Sequence, residues 1–254
     1  MGTSVGKSDQ VRRMAKASGD LSRPLNTAMK YFRVLKNHFG NPQWWPADST
    51  VEVIIGAVLT QNTNWRNVEK AIGNLADRRC LDAAAILDLP ISELEQLLRP
   101  SGYFRIKTQR LRRVMAWYAR HTRTDKDAIA NIPTPELRTE LLAINGVGPE
   151  TADSILLYAF HRPIFVIDAY TRRIAQRHAL LPDDRCRDYH SLQQYFHQHV
   201  PTRVDIFNKY HALIVQTGKH FCGPQPKCTH CPLREFLPSS SPLRHLHLPD
   251  QTIA

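Results

Sequence analysis

Long apolar runs are missing from this 254-residue chain. No stretch approaches the roughly 18 apolar residues a membrane-spanning helix needs. The longest runs, near Val53–Leu59 and Ile155–Phe160, have the length of buried helix segments. The N-terminal segment MGTSVGKSDQVRRMAKASGD lacks the apolar region of a secretory signal, so the expected location is intracellular: cytoplasmic, not secreted. Period-two alternation of apolar and polar residues is absent over any useful length, which disfavours a sheet protein. No internal repeat is visible, which disfavours solenoids and propellers. Acidic residues are in short supply: 23 Asp and Glu stand against 34 Lys and Arg, a formal charge of +11. Such an excess favours a polyanionic partner, and nucleic acid is the commonest. Cysteines are few and odd in number. Of the five, Cys222, Cys228 and Cys231 cluster while Cys80 and Cys186 stand alone, a distribution that reads as metal binding before disulfides.

What is present is helical periodicity nearly throughout, and the expected class is all-α, with two helical lobes sharing a cleft. Leu25, Met29, Phe32, Leu35 and Phe39 repeat at helical spacing over 24–39, and Gly40-Asn41-Pro42 stops that helix. Asp48 or Ser49 can cap a helix over 51–59. Further helices are expected over 64–75, 81–87, 92–98, 104–120, 168–179, 189–199 and 204–217. The helix over 104–120 is strongly basic. Residues 1–20 read as a disordered basic arm, 21–235 as the folded domain and 236–254 as a flexible tail.

The most specific motif lies in a helix–hairpin–helix expected over about 134–160. Leu137, Leu141 and Leu142 belong to the core of its first helix. Asn145-Gly146 and Gly148 allow positive φ in a tight turn, and Val147 between them can plug the turn into the core. Pro149 suits the first position of the second helix, where a missing N–H is harmless. Free backbone N–H groups at that helix start can hold a phosphate. An ordinary αα turn also contains Gly, yet this pattern opening a long apolar helix is more specific than that. Downstream, Ile164-Phe165-Val166-Ile167 delivers Asp168 to a helix start. Asp is a favoured N-cap, and capping is compatible with catalysis because it fixes the carboxylate toward a cleft. A carboxylate so held can stabilise an oxocarbenium ion and orient or deprotonate water.

Asn145-Gly146-Val147-Gly148 followed by Val166-Ile167-Asp168 resembles the helix–hairpin–helix/GPD superfamily of DNA glycosylases, the group containing endonuclease III. The resemblance spans about residues 25–235 and implies base excision from double-stranded DNA by a monomeric enzyme. Asp168 matches the family's essential aspartate. Glu150 falls where bifunctional members carry a Schiff-base lysine, and a carboxylate cannot do that chemistry. The resemblance therefore implies a monofunctional enzyme without efficient AP-lyase activity. Trp44-Trp45-Pro46 and Leu59-Thr60-Gln61-Asn62-Thr63-Asn64-Trp65 look like the 3-methyladenine glycosylase branch, with Trp44 and Trp65 lining the base pocket and Lys219 near it. Aromatics suit a flipped, cationic alkylpurine. Gln61 or Asn62 would fill the gap a flipped nucleotide leaves. The cysteine loop 222–231 resembles the family's [4Fe–4S] loop with an incomplete set, since the fourth ligand falls near Leu237. Three readings stay open: a cluster with an unusual fourth ligand, another metal, or an empty loop. The functional alternatives are a mismatch or oxidised-base glycosylase and a non-catalytic DNA-binding module.

Overall fold

The helix starts follow from local chemistry. In the computed structural model, which describes residues 26–123 and 128–245, α1 (Thr27–Phe39) begins where the Asn26 side chain accepts the Met29 N–H at 3.0 Å. Ser49, one of two expected caps, accepts the Glu52 N–H at the start of α2 (Thr50–Leu59). Glu52 reaches back and accepts from the Asp48 N–H at 2.9 Å, one residue before the cap, which fixes the entry of the chain into the helix. Asn64 caps α3 (Trp65–Asp77), and Asp82 caps α4 (Ala83–Asp88). Then follow α5 (Ile91–Leu98) and the long basic α6 (Phe104–Thr122).

The second half comprises α7 (Ala128–Asn131), α8 (Thr134–Ala143), α9 (Pro149–Ser154), a π-helical turn Ile155–Ala159, α10 (Ala169–Arg177), α11 (Asp183–Arg187), α12 (Tyr189–His199) and α13 (Val204–His220). Among the described residues there is no strand, only one isolated bridge between Cys222 and Pro226, so the molecule is all-α. No helix of the described residues is long and apolar enough to cross a membrane.

Two groups of helices pack separately, α3–α6 in one and α1 with α10–α13 in the other, and α2 with the π turn lies between them. The apolar run Val53–Leu59 is buried on every side for that reason. Lys107 of α6 is also buried. Its ammonium donates to the carbonyls of Leu59 (2.8 Å) and Ser101 (2.6 Å), closing the end of α2 where the Thr60–Asn64 loop departs. Burial, aided by the charge of Arg110, pulls this lysine down to about 8.

Several expectations are corrected. The helix over 168–179 is shorter, because Asp168 is its cap and Ala179 takes φ +49°. The small helices α7 and α11 and the π turn carried no periodic signal. Past the expected domain end at 235, Leu237 is still buried and Pro242–His245 makes a 3-10 turn. The expected basic arm and the rest of the tail lie outside the described residues.

Candidate active site

The hairpin joins α8 to α9 through Ile144–Gly148. Val147 is buried, plugging the turn into the core, and Gly146 adopts φ +92°. Gly148 does not take the positive φ expected of it: at φ −94°, ψ 177° it is the extended N-cap of α9, the conformation that position requires. No side chain caps α9, and Pro149 occupies its first turn. Three side chains brace the turn from outside. Gln61 donates to the Gly146 carbonyl at 3.2 Å and to Thr151 Oγ1 at 2.8 Å, while Arg110 donates to Gln61 Oε1 at 2.5 Å. Arg113 reaches both the carbonyl and the side chain of Asn145. Gln61 is thus committed to the hairpin, whereas Asn62 is exposed with φ +53°.

Asp168 follows the buried extended segment Ile164–Ile167 and caps α10. Its Oδ1 accepts two bonds from Thr171, from N–H and from Oγ1, both at 2.7 Å. Its Oδ2 lies 3.6 Å from Nε2 of His211 on α13. His211 Nδ1 is 2.5 Å from the hydroxyl of Tyr158, which belongs to the π turn.

Asp168 and His211 face a cavity of about 580 Å³ that also takes in Trp44, Trp45, Trp65, Glu150 and Lys219. Trp45 packs its ring against Gly56 and lies 5.2 Å from Trp65 and 5.0 Å from Tyr158. It is a wall of the cavity as well as a packed residue. Lys219 holds its ammonium 5.8 Å from the Trp44 ring centre. Glu150 sits 3.9 Å from Arg172, with half of its side chain open to the cleft. Desolvation by the cleft walls raises its carboxyl to about 7; the charge of Asp168 adds to the rise and Arg172 opposes it. Sequence reasoning missed His211, Tyr158, Arg110 and Arg172. His211 sits between Tyr210 and the apolar run Ala212–Val215 of α13 and reads as a core histidine. Only the long-range packing of α13 against α10 and the π turn brings it to Asp168.

The cysteine loop closes over α10. Arg173 donates to the Cys222 carbonyl at 2.8 Å; Arg177 donates to Cys222 Sγ (3.1 Å), the Gly223 carbonyl (2.8 Å) and the Pro224 carbonyl (3.1 Å). Burial pushes the Cys231 thiol up to about 11, with the neighbouring Cys222 and Cys228 adding to the rise. Leu237, in the fourth ligand's place, is 4% exposed and packed. Cys186 is turned to the Leu181 carbonyl at 3.3 Å. Among the described residues no three His, Cys, Asp or Glu side chains are grouped to hold a metal. The residues present therefore do not fit a four-thiolate cluster.

Residues 55–201 match the HhH-GPD superfamily of base excision DNA repair proteins. The chain is 41% identical over 214 residues to a protein of Methanocaldococcus jannaschii named as a DNA repair glycosylase, covering 82% of this chain and 94% of that one. Endonuclease III of Thermotoga maritima is 26% identical over 187 residues, covering 72% and 79%. Among solved structures, the H. pylori 3-methyladenine DNA glycosylase bound to 1,N6-ethenoadenine superposes with a TM-score of 0.66 at 25% identity, covering 76% of this chain and 97% of that one. A non-covalent endonuclease III–DNA complex superposes with a TM-score of 0.69 at 21% identity, covering 84% and 96%, and shares the fold. A hairpin, a capping aspartate and a cavity beside it thus stand within a chain that matches one family over most of its length: it belongs to the HhH-GPD superfamily of base excision DNA repair proteins and is a DNA glycosylase.

Proposed function

We propose that this protein is a monofunctional glycosylase that hydrolyses the N-glycosidic bond of an alkylated purine such as 3-methyladenine, flipped out of double-stranded DNA. The observation that carries the reading is a carboxylate pair, Asp168 and Glu150, in a cavity walled by three tryptophans. The cavity is large enough for a purine and lies next to the hairpin. Likeness to the H. pylori 3-methyladenine glycosylase supports the substrate class.

In the proposed reaction the C1′–N bond breaks with its electron pair going to the base. A cationic alkylpurine leaves neutral, which makes it a good leaving group. The sugar becomes an oxocarbenium ion, stabilised by ionised Asp168. Water adds to C1′, and Asp168 takes the proton it loses. The tryptophan faces attract a cationic base more than a neutral one. Lys219 sits over the Trp44 face in the free protein, so an incoming cationic base takes the Trp45–Trp65 side or displaces it. The hairpin backbone at Asn145–Gly148 and the start of α9 are assigned to phosphate, with Asn62 at the rim as the residue that enters the vacated stack. The protein works as an intracellular monomer, and the cysteine loop fastens α10 rather than taking part in the chemistry.

A second reading has one observation in its favour. Lys219 faces the same cavity, which would place its amine for a lyase step. Base release from methylated duplex DNA, with borohydride trapping in parallel, separates the two. Release of 3-methyladenine without a trapped complex supports the proposal. A trapped complex lost in Lys219→Ala supports the lyase reading. Release only from mismatched or oxidised duplexes keeps Asp168 and discards the substrate class, and binding without any release leaves a DNA-binding module.

A further inference from the structure

The environment of Asp168 is lopsided. Its Oδ1 is saturated by two donors from Thr171, while Oδ2 faces the cleft and the imidazole of His211. That imidazole is buried, at 4% exposure, and its Nε2 has no hydrogen-bond partner among the described residues. A buried, unpaired donor is costly to leave unsatisfied. The separation of 3.6 Å is too long for a direct bond and too short for an intervening water. A closure of about half an ångström completes it, and catalytic hydrogen bonds commonly tighten in the substrate complex.

We infer that His211 is a positioning residue for Asp168: its Nε2–H is aimed at Oδ2 and holds that oxygen toward the reacting sugar, while Tyr158 sets its tautomer. This deepens the proposed function and rests on Asp168 being the reacting carboxylate. The tautomer follows from the neighbours. Burial raises the Tyr158 hydroxyl well above its ordinary range, so it keeps its proton and donates it to Nδ1. The ring proton then resides on Nε2, facing a negative oxygen; the opposite tautomer would set a lone pair against that charge. Burial also pushes the imidazole below its usual value, with Asp168 opposing, so His211 acts as a neutral donor.

A donor to the ionised carboxylate keeps it ionised, so losing the donor moves the acid limb of the rate profile upward. The other ionisable groups around this site are Arg110 on α6, Glu150 on α9, Tyr170, Arg172 and Arg173 on α10 and Lys219 on α13, all lining the cavity, with Tyr158 behind His211. Because Glu150 titrates near neutrality, the profile is measured in both wild-type and Glu150→Gln backgrounds.

The test is single-turnover base release against pH, on the lesion duplex that the wild-type protein processes fastest. His211→Leu is expected to be about tenfold slower or worse, the loss of a charged-group hydrogen bond, with its acid limb shifted up and abasic-duplex binding unchanged. His211→Gln, which restores an N–H, recovers most of the rate, and Tyr158→Phe falls between. A His211→Leu protein with wild-type rate and limb overturns the inference, as does a slow one whose limb is unmoved and which Gln does not rescue. Asp168→Asn is run alongside: if it still releases base, the Asp168 reading has failed instead. Nitrogen-15 NMR of the imidazole in the free protein decides the tautomer whatever the activity. Nε2–H is expected; an Nδ1–H ring or an imidazolium at neutral pH overturns the assignment.

Discussion

Asp168 serves the fold with one oxygen and the cleft with the other. Replacing it by Asn keeps an oxygen for the Thr171 cap and removes the charge. We therefore expect a folded protein that binds damaged duplex yet releases no base, checked by gel shift and base-release assays on the same preparation. Glu150 gives a prediction with a definite sign. Its folded carboxyl titrates near 7 against an ordinary 4.5, so between those values the folded protein holds a proton that the unfolded chain has lost. Stability therefore falls as pH rises through this window, and the cost is complete above about 7. Glu150→Gln should raise Tm at alkaline pH and leave it unchanged below the unfolded value. The gain is smaller than the shift suggests, because half the side chain is in solvent. A melt series across pH checks it; a gain confined to acid pH would contradict the sign. At this scale Asp168 was legible because an acid that ends an apolar run at a helix start is held there to cap the helix or to face a cleft, and here it does both. His211 was not, because a histidine inside an apolar helical run looks the same whether or not a carboxylate faces it.

At the scale of elements, two glycines of one hairpin separate fold from binding. A β-carbon on Gly146 would stand 2.5 Å from Arg110 Nε, on a backbone of positive φ. Gly146→Ala should lose about 1–3 kcal/mol of stability. A β-carbon on Gly148 would meet no atom within 4 Å, and its φ is ordinary. Gly148→Ala should keep its stability within about 0.5 kcal/mol while DNA affinity falls, since the added methyl stands where a phosphate is proposed to approach. Urea titrations and DNA binding on both variants decide it. The α10–α13 contact is tighter still: a β-carbon on Gly218 would run into the ring and β-carbon of Tyr170. Gly218→Ala must push these helices apart, and with them Asp168 from His211, so base release should fall along with Tm. The helix caps at Ser49, Asn64 and Asp168 were readable because capping is chemistry between near neighbours. The π turn was not, since it lies between α2 and α13, and contacts between elements distant in the chain leave no local pattern.

The whole molecule carries a formal +11, and DNA binding should weaken steeply as salt rises, because each phosphate contact releases counterions. A salt titration that leaves affinity flat would contradict a phosphate-held complex. The loop at 222–231 is fastened to α10 by Arg173 and Arg177 through four hydrogen bonds, with Leu237 packed in the fourth ligand's place. Arg177→Met should therefore lower Tm. Elemental analysis of protein prepared without oxygen should find no stoichiometric [4Fe–4S] cluster; four irons per chain would show that a ligand other than a fourth cysteine completes it.

The helical class, the hairpin, the capping aspartate and the family were legible from the order of residues alone, because periodicity, turn chemistry and charge act over a few neighbouring residues or over the composition as a whole. Long-range packing settled the rest: Gln61 and Arg110 brace the hairpin, Gly148 is extended, and His211 stands 3.6 Å from Asp168. Those outcomes depend on contacts between residues distant in the chain, which form only when the two groups of helices pack around α2 and the π turn.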